Sequence, residues 1–221
     1  EKEGSAGLSN LSVWIIMKDD QGTMWFGTYY GGLDYYNPHT DIFEYNNLKL
    51  GHAGIGPVIS KIIEDRTGRL WISTEGDGLV SYLPATNDYA YYTKENHTIS
   101  HNNVKTLYYD DASNTIWIGT HLGGLCSYSI DKKEFKHFTI DPSDHTKRSE
   151  IVQAIIRHKN ILYLGTLSGV YYMNLEDYSI KKISLLDKYI YAVNSLMIDN
   201  QDNLWIGGNN LCYYSIKQNY V

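Results

Sequence analysis

The sequence predicts an all-β fold built from repeated four-stranded antiparallel units, and two observations support this prediction. A short motif with an aromatic anchor recurs five times, and no stretch of the chain has helical periodicity. The anchors are Trp25, Trp71, Trp117, Tyr163 and Trp205, at successive spacings of 46, 46, 46 and 42 residues. A four-stranded unit repeated about every 45 residues is typical of a β-propeller blade.

Each repeat contains signals for four short strands, which we label A to D. An apolar or β-branched run ends in a polar turn such as DDQG or DRTG, which predicts strand A and a tight A–B hairpin. The anchor lies in strand B, and strands C and D follow around a further turn. The residue two positions after each anchor is small: Gly27, Ser73, Gly119, Gly165 and Gly207. Because it shares the anchor's face of strand B, we expect it to make room for a large ring from the adjacent blade.

The repeats divide a single propeller region, 1–221, into approximate ranges of 8–45, 55–92, 99–138, 149–183 and 191–221. The last range stops inside strand D, and no spare strand at the N-terminus could complete it. We therefore expect an arc of a larger, seven-bladed propeller cut from a longer protein, with a closed five-bladed ring as the alternative. An open arc would expose two apolar blade faces, which predicts self-association, for example as a homodimer.

Composition narrows the classes of partner. The formal net charge is −6 and Lys and Arg form no run, so we expect this region to contact no nucleic acid. No apolar stretch approaches the roughly 18 to 20 residues of a membrane span, and the first ten residues are polar. The chain has 21 Tyr and 5 Trp but only 4 Phe, and aromatic residues with a polar edge suit strands and half-exposed surfaces.

The pattern D-x-x-G-x-[LIM]-W-[IF]-G-T-x-x-G-G-L-x-x-Y occurs near 19–36, 65–82 and 111–128, with looser copies at 151–172 and 193–214. It resembles the two-component regulator propeller repeat. The resemblance implies the periplasmic sensor region of a hybrid two-component histidine kinase in the inner membrane. Such regions typically hold two consecutive seven-bladed propellers, followed by a β-sandwich, a membrane span and the kinase. The resemblance also implies detection of oligosaccharides released from polysaccharides.

Two repeats depart from the pattern. Repeat four has Tyr163 in place of Trp and lacks the Asp-Gly hairpin, and repeat five replaces the GT-x-x-GG turn by Gly207, Gly208, Asn209 and Asn210. We expect altered loops on those two blades.

Antiparallel alternation places the B–C turns and the D–A connections on one face of the blades. The D–A connections are long, and long loops on a rigid scaffold often bind ligands. The candidate ligand-binding residues on this face are Tyr29, Tyr30, Glu75, Asp77, His121 and His101. The tyrosines and His121 could form a platform for sugar rings, whereas loop packing or contact with a second propeller is the alternative.

Other constellations point away from catalysis. Glu75 and Asp77 share one turn, so they suit polar loop positions better than the facing carboxylates of a glycosidase. His97 and His101 have a helical spacing in a loop, which does not predict a metal site. Cys126 and Cys212 occupy equivalent strand C positions two blades apart, so we expect free, buried thiols. We expect no catalytic residues, metal or cofactor.

These observations favour a non-enzymatic sensor region whose partners are an oligosaccharide and the other blades and β-sandwich of a receptor. A propeller glycosidase or lyase and a protein-interaction scaffold are the alternatives.

Overall fold

A computed structural model describes residues 7–38, 40–46 and 58–220. The D–A connection between the first two repeats therefore lies mostly outside the described residues. The strands group in sequence order into five sheets, four of four strands and one of three. Among the described residues there is no α-helix, and only two short 3-10 turns occur, at Asp111–Ser113 and Ser184–Leu186. The predicted all-β class and the four-stranded antiparallel blade are confirmed.

The chain divides into two compact units, Glu1–Asp111 and Ala112–Val221, which are described separately. The first unit contains β1 (Val13–Lys18), β2 (Met24–Thr28), β3 (Leu33–Asn37), β4 (Ile42–Asn46), β5 (Ile59–Glu64), β6 (Leu70–Thr74), β7 (Leu79–Leu83), β8 (Asp88–Tyr92) and β9 (Val104–Asp110). Strands β1 to β4 and β5 to β8 form two sheets in which each strand pairs antiparallel with the next.

The second unit contains β10 (Thr115–Thr120), β11 (Leu125–Ser129), β12 (Glu134–Phe138), β13 (Val152–His158), β14 (Ile161–Thr166), β15 (Gly169–Asn174), β16 (Ile180–Lys182), β17 (Val193–Ile198), β18 (Asn203–Gly208) and β19 (Leu211–Ser215). Strands β13 to β16 form one sheet, and β17 to β19 form the three-stranded sheet of repeat five.

Within each unit the core lies between successive sheets. In the first unit Trp25 and Leu33 of the first sheet pack with Ile62 and Ile72 of the second sheet. In the second unit Tyr163 belongs to a cluster of buried residues that includes residues of the fifth sheet. Apolar residues from two facing sheets therefore share one core, which is why strand B is apolar on both faces.

Three of the five anchors are fixed by the aspartate of the A–B hairpin. The indole Nε1 of Trp25 donates to Asp19 Oδ2 at 2.8 Å, and the backbone amides of Gln21 and Thr23 donate to Asp19 Oδ1. Repeats two and five have the same arrangement, with Nε1 to Oδ2 distances of 2.8 Å for Trp71 and Asp65 and 2.7 Å for Trp205 and Asp199. One carboxylate thus closes the hairpin and satisfies the indole, so these residues hold the frame together.

The hairpin carboxylate gives the fold a measurable acid sensitivity. The amide of Asn203 and the indole of Trp205 donate to Asp199 and lower the pKa of its carboxyl from 3.8 to about 2. A pKa that is lower in the folded state stabilises the protein above the unfolded value, and this stability is lost as the pH falls from about 4 towards 2. We expect Asp199→Asn to flatten the pH dependence of the urea midpoint in this range, and an unchanged slope would contradict the assignment.

The threonine of the GT-x-x-GG pattern closes the B–C turn. Thr28, Thr74 and Thr120 are fully buried, and each donates its hydroxyl to the carbonyl of the glycine four residues later, at 2.9, 2.8 and 3.0 Å. Thr166 donates to Gly169, only three residues later, at 2.9 Å. The turn of repeat four is therefore one residue shorter than the others.

From the sequence we expected the small residue of strand B to make room for a large ring, and this expectation is wrong at Gly27 and Gly165. A Cβ atom on Gly27 would lie 2.5 Å from Cγ2 of Ile59, and one on Gly165 would lie 2.5 Å from Cγ1 of Val193. Ile59 and Val193 begin strand A of the next blade. At these two positions the small residue therefore admits a β-branched side chain of the next blade.

Candidate functional site

In both units, the B–C turn lies beside the end of the D–A connection. The first turn residue donates its backbone N–H to the carbonyl just before strand A of the same blade. The pairs are Tyr29 and Ser12 (2.9 Å), Glu75 and Val58 (3.0 Å), Leu167 and Ile151 (3.3 Å), and Asn209 and Ala192 (3.1 Å). Turns and connections therefore emerge on the same face of each blade, as the alternation of strands predicts. We call this side of each unit the connector face.

An exposed aromatic cluster occupies the connector face of the first unit. Trp14 stacks on Tyr29 with ring centroids 5.2 Å apart, and Tyr29 lies 4.2 Å from Tyr30. Trp14, Tyr29 and Tyr30 are 49%, 37% and 51% exposed, whereas the anchor Trp25 is 3% exposed. Tyr30 has a backbone φ of 60°, a left-handed conformation that is uncommon for a bulky residue. Leu122, at the corresponding turn position of repeat three, has a φ of 68°, so this conformation belongs to the B–C turn.

Glu75 completes the polar edge of this cluster. Its carboxylate pairs with the ammonium of Lys105 at 2.5 Å, and both side chains are about a quarter exposed or less. The pKa of Tyr29 is raised, chiefly by its hydrogen bond with Tyr30 and to a smaller extent by the negative charge of Glu75. The structure thus brings Tyr29, Tyr30 and Glu75 together.

The remaining candidates are separate from the aromatic cluster. Asp77 lies in the turn of Glu75, and its backbone N–H donates to the Thr74 hydroxyl at 3.0 Å. His101 accepts a hydrogen bond from the amide of Asn103 at its Nδ1, also at 3.0 Å, so its ring helps to shape the connection. His121 is half-buried in the B–C turn of the second unit. Four of the five anchors are buried, and Trp205 is partly buried.

The sequence did not reveal how the second connection is held. The carbonyl of Asn102 accepts the amides of Gly76 and Gly78, at 3.2 and 2.8 Å. Its side-chain Nδ2 donates to both carboxylate oxygens of Glu95, at 3.0 and 2.7 Å, and this bond lowers the pKa of Glu95. Asn102 therefore ties the connection 93–103 to the turn of the preceding strands. The asparagine in SHNNV was the only signal for this role.

In the second unit, the buried Glu150 holds the connection 139–150. Glu150 is 4% exposed, and its carboxylate accepts the amides of Ile140, at 3.0 and 3.2 Å, and Asp141, at 3.1 Å. Its backbone carbonyl accepts the amide of Gly124 at 3.0 Å. A single carboxylate thereby folds the connection 139–150 back on itself, and no sequence pattern distinguishes it from an exposed glutamate.

The thiols and the acidic groups show no reactive arrangement. Cys126 and Cys212 are both free, as expected; Cys126 is buried and Cys212 only partly so. The Cys126 sulfur lies 3.2 Å from Nδ1 of His137, and burial raises the pKa of Cys212. Within the described ranges, no three His, Cys, Asp or Glu side chains are grouped to hold a metal ion.

Segments of this chain were compared with known protein families. Three segments, 7–30, 54–76 and 184–210, match the model of the two component regulator propeller. These parts of the chain are therefore similar to the two-component regulator propeller repeat. The matched segments fall in repeats one, two and five, and they include the A–B hairpin with its aspartate and tryptophan. No curated protein matches the chain.

Solved structures share the propeller fold at low sequence identity. The extracellular domain of a putative hybrid two component system from B. thetaiotaomicron matches with a TM-score of 0.77 and 21% identity, covering 100% of this chain and 30% of that one. The extracellular domain of a putative one component system from the same organism matches with a TM-score of 0.76 and 17% identity, over 95% of this chain and 28% of that one. PorZ, a component of the type-IX secretion system of Porphyromonas gingivalis, matches with a TM-score of 0.64 and 14% identity. The match covers 91% of this chain and 32% of PorZ.

The chain thus spans less than a third of the length of these structural neighbours. In the part of the chain that the structure describes, no helix is long and apolar enough to cross a membrane.

Proposed function

We propose that this chain is part of a ligand-sensing propeller, located outside the cytoplasm, of a hybrid two-component sensor kinase that detects oligosaccharides. The match to the two-component regulator propeller repeat supports this assignment, and so do two structural neighbours, which are extracellular domains of putative two component and one component systems. On this proposal the chain itself carries no enzyme activity, and the kinase lies elsewhere in the longer protein.

The observation that carries the ligand class is the cluster of Trp14, Tyr29 and Tyr30. Aromatic faces pack on the C–H groups of sugar rings, and the phenol hydroxyls can hydrogen-bond to sugar hydroxyls. The three rings are exposed on the connector face, while the signature residues of the same repeat are buried in the frame. The Glu75–Lys105 pair adds one acceptor and one donor beside the rings. An oligosaccharide fits this mixture of flat apolar rings and polar edges.

Signalling requires that the ligand bind one receptor state more tightly than another. The connector face is suited to this, because Asn102 and Glu150 tie each long connection to the turn beside it. A ligand that bridges a turn and a connection would stabilise one arrangement of the two. We propose that this stabilisation is the signal passed to the rest of the receptor.

We also propose that the outer faces of the first and fifth sheets pack against further blades of the longer protein. Ile16 is 55% exposed in β1 and Met197 is 55% exposed in β17. When the chain is produced without those blades, the same faces should drive self-association. Sedimentation velocity should then show dimers or larger species, and a strictly monomeric chain at high concentration would contradict this proposal.

The decisive test is a binding titration on the intact protein that contains this chain, with a panel of neutral and acidic oligosaccharides. Tyr30→Ala should weaken binding of the best ligand about two- to tenfold, because an aromatic contact contributes roughly 0.5–1.5 kcal/mol beyond its buried area. Isothermal titration calorimetry measures the change directly.

Tyr178→Ala is a matched control, since Tyr178 is also an exposed tyrosine with a left-handed φ of 59° but lies in a C–D turn. Equal effects of the two variants would contradict a site at Tyr30. If no glycan bound, and a protein partner bound the connector face instead, the scaffold alternative would replace the sensor. Turnover of a glycan by the chain would favour the enzyme.

A further inference from the structure

A pocket opens on the connector face of the second unit. Its volume is about 500 Å³, and it lies between the connection 139–150, the end of β16 and the connection 184–192. Its lining residues are Arg148, Leu167, Ser168, Lys182, Asp187 and Tyr191.

The pocket exists because repeats four and five depart from the pattern. The B–C turn of repeat four is one residue shorter than its counterparts, so Leu167 and Ser168 form a low floor. In repeat five, Asn209 replaces a signature turn residue, and its Oδ1 accepts the amides of Tyr191 and Ala192, each at 3.0 Å. The two altered turns therefore create the space and fix the backbone of Tyr191 at its rim.

The charges in the pocket are predominantly positive. Arg148 donates from Nε to the carbonyl of Leu167 at 3.0 Å, which directs its guanidinium across the floor. Of the residues that the structure describes, no carboxylate pairs with Arg148. Lys182 pairs with Asp187 at 2.9 Å. Two cations thus face one carboxylate, and the guanidinium retains unused N–H donors on its terminal nitrogens.

Gly169 leaves room for the Lys182–Asp187 ion pair. Gly169 has φ of +106°, and a Cβ atom there would lie 3.2 Å from Cε of Lys182 and 3.3 Å from Oδ1 of Asp187. A side chain at this position would therefore crowd the ion pair. On the open side, the ring of Tyr191 is 61% exposed, so one of its faces is available to a ligand.

We propose that this pocket binds the anionic group of an acidic sugar. Arg148 pairs with a carboxylate or sulfate oxygen through its terminal N–H groups, Lys182 adds a second positive charge, and the sugar ring packs on Tyr191. A uronate and a sulfated sugar share this chemistry. The inference rests on the proposed glycan-sensing function and narrows its ligand class to glycans that carry a negative charge.

The test is a calorimetric titration of the intact protein with three disaccharides: one bearing a uronate, one bearing a sulfate and a neutral counterpart. We expect an acidic disaccharide to bind at least tenfold more tightly than the neutral one, with affinity that falls as ionic strength rises. The acidic disaccharide that binds more tightly identifies the anionic group that the pocket prefers. Arg148→Gln should weaken that binding at least tenfold, and Tyr191→Ala several-fold, with little effect on the neutral sugar.

Lys181→Gln is the matched charge control, because Lys181 is the exposed neighbour of Lys182 on β16 and is not part of the pocket lining. Equal losses of affinity in Arg148→Gln and Lys181→Gln would show that the effect arises from general surface charge. That result would overturn the proposed binding site. Binding of neutral sugars that depends on Tyr30, with no preference for acidic ones, would overturn this inference and leave the proposed function intact. Absence of binding by all glycans would overturn both.

Discussion

Trp71→Ala should lower the free energy of unfolding by about 3–5 kcal/mol, the range for removing a buried aromatic side chain. Trp71 is 1% exposed, its ring stacks on Tyr92 at 5.7 Å, and its indole N–H donates to Asp65 at 2.8 Å. The substitution removes the packing and leaves the Asp65 oxygen without its donor. Urea unfolding followed by far-ultraviolet circular dichroism measures the loss without depending on tryptophan fluorescence.

Trp14→Ala is the control for this experiment. Trp14 is half-exposed and stacks on Tyr29, so its loss should cost about 1 kcal/mol or less. Similar costs for Trp14→Ala and Trp71→Ala would show that the signature tryptophan is not what holds the blade together. A large cost for Trp71→Ala, with folding retained, would support its role as a structural anchor.

Gly165→Ala should cost about 1–3 kcal/mol, the usual range for overpacking a core. The added methyl carbon would lie 2.5 Å from Cγ1 of Val193, 3.1 Å from Cβ of Val193 and 3.3 Å from Cβ of Ala154. Neither neighbour can rotate away easily, because Val193 is fully buried at the start of β17. Thermal unfolding of the variant should show a lower midpoint with unchanged secondary structure.

A double-mutant cycle separates overpacking from other effects of the glycine. Val193→Ala removes the closest atom, so Gly165→Ala should cost at least about 0.5 kcal/mol less in the Val193→Ala background. Gly7→Ala is the control, because a Cβ atom at Gly7 would meet nothing within 4 Å. Purely additive costs at Gly165 and Val193 would contradict direct contact between the two blades at this point.

The blade frame was predictable because it repeats. Five copies of one pattern average out local ambiguity, so the positions of the strands and the tryptophans follow from the sequence alone. The partner of the small residue did not follow, because periodicity identifies a face but not the side chain opposite it. Only the structure shows that Gly165 accommodates Val193 rather than an aromatic ring.

The candidate site was less predictable from the sequence, because its residues differ from one repeat to the next. Tyr29 and Tyr30 could be identified because they differ from the corresponding turn residues of the other blades. The roles of Glu150 and Arg148 could not, since each depends on how an irregular connection folds back on the sheet. The departures of repeats four and five were visible in the sequence, but their consequence, a pocket edged by Tyr191, required the positions of three separate segments.

The central claim is that the recurring repeat residues hold the frame, while the connector face, whose residues differ between repeats, binds a glycan. Hydrogen–deuterium exchange of the intact protein, with and without its best-binding oligosaccharide, tests this claim most directly. We predict slower exchange on a connector face, either in the B–C turns around Tyr29 and Gly76 and the connection 93–103 of the first unit, or in the connections 139–150 and 184–192 of the second unit. Protection confined to the A–B hairpins, around Asp19 and Asp65 on the opposite side of the blades, would contradict the account.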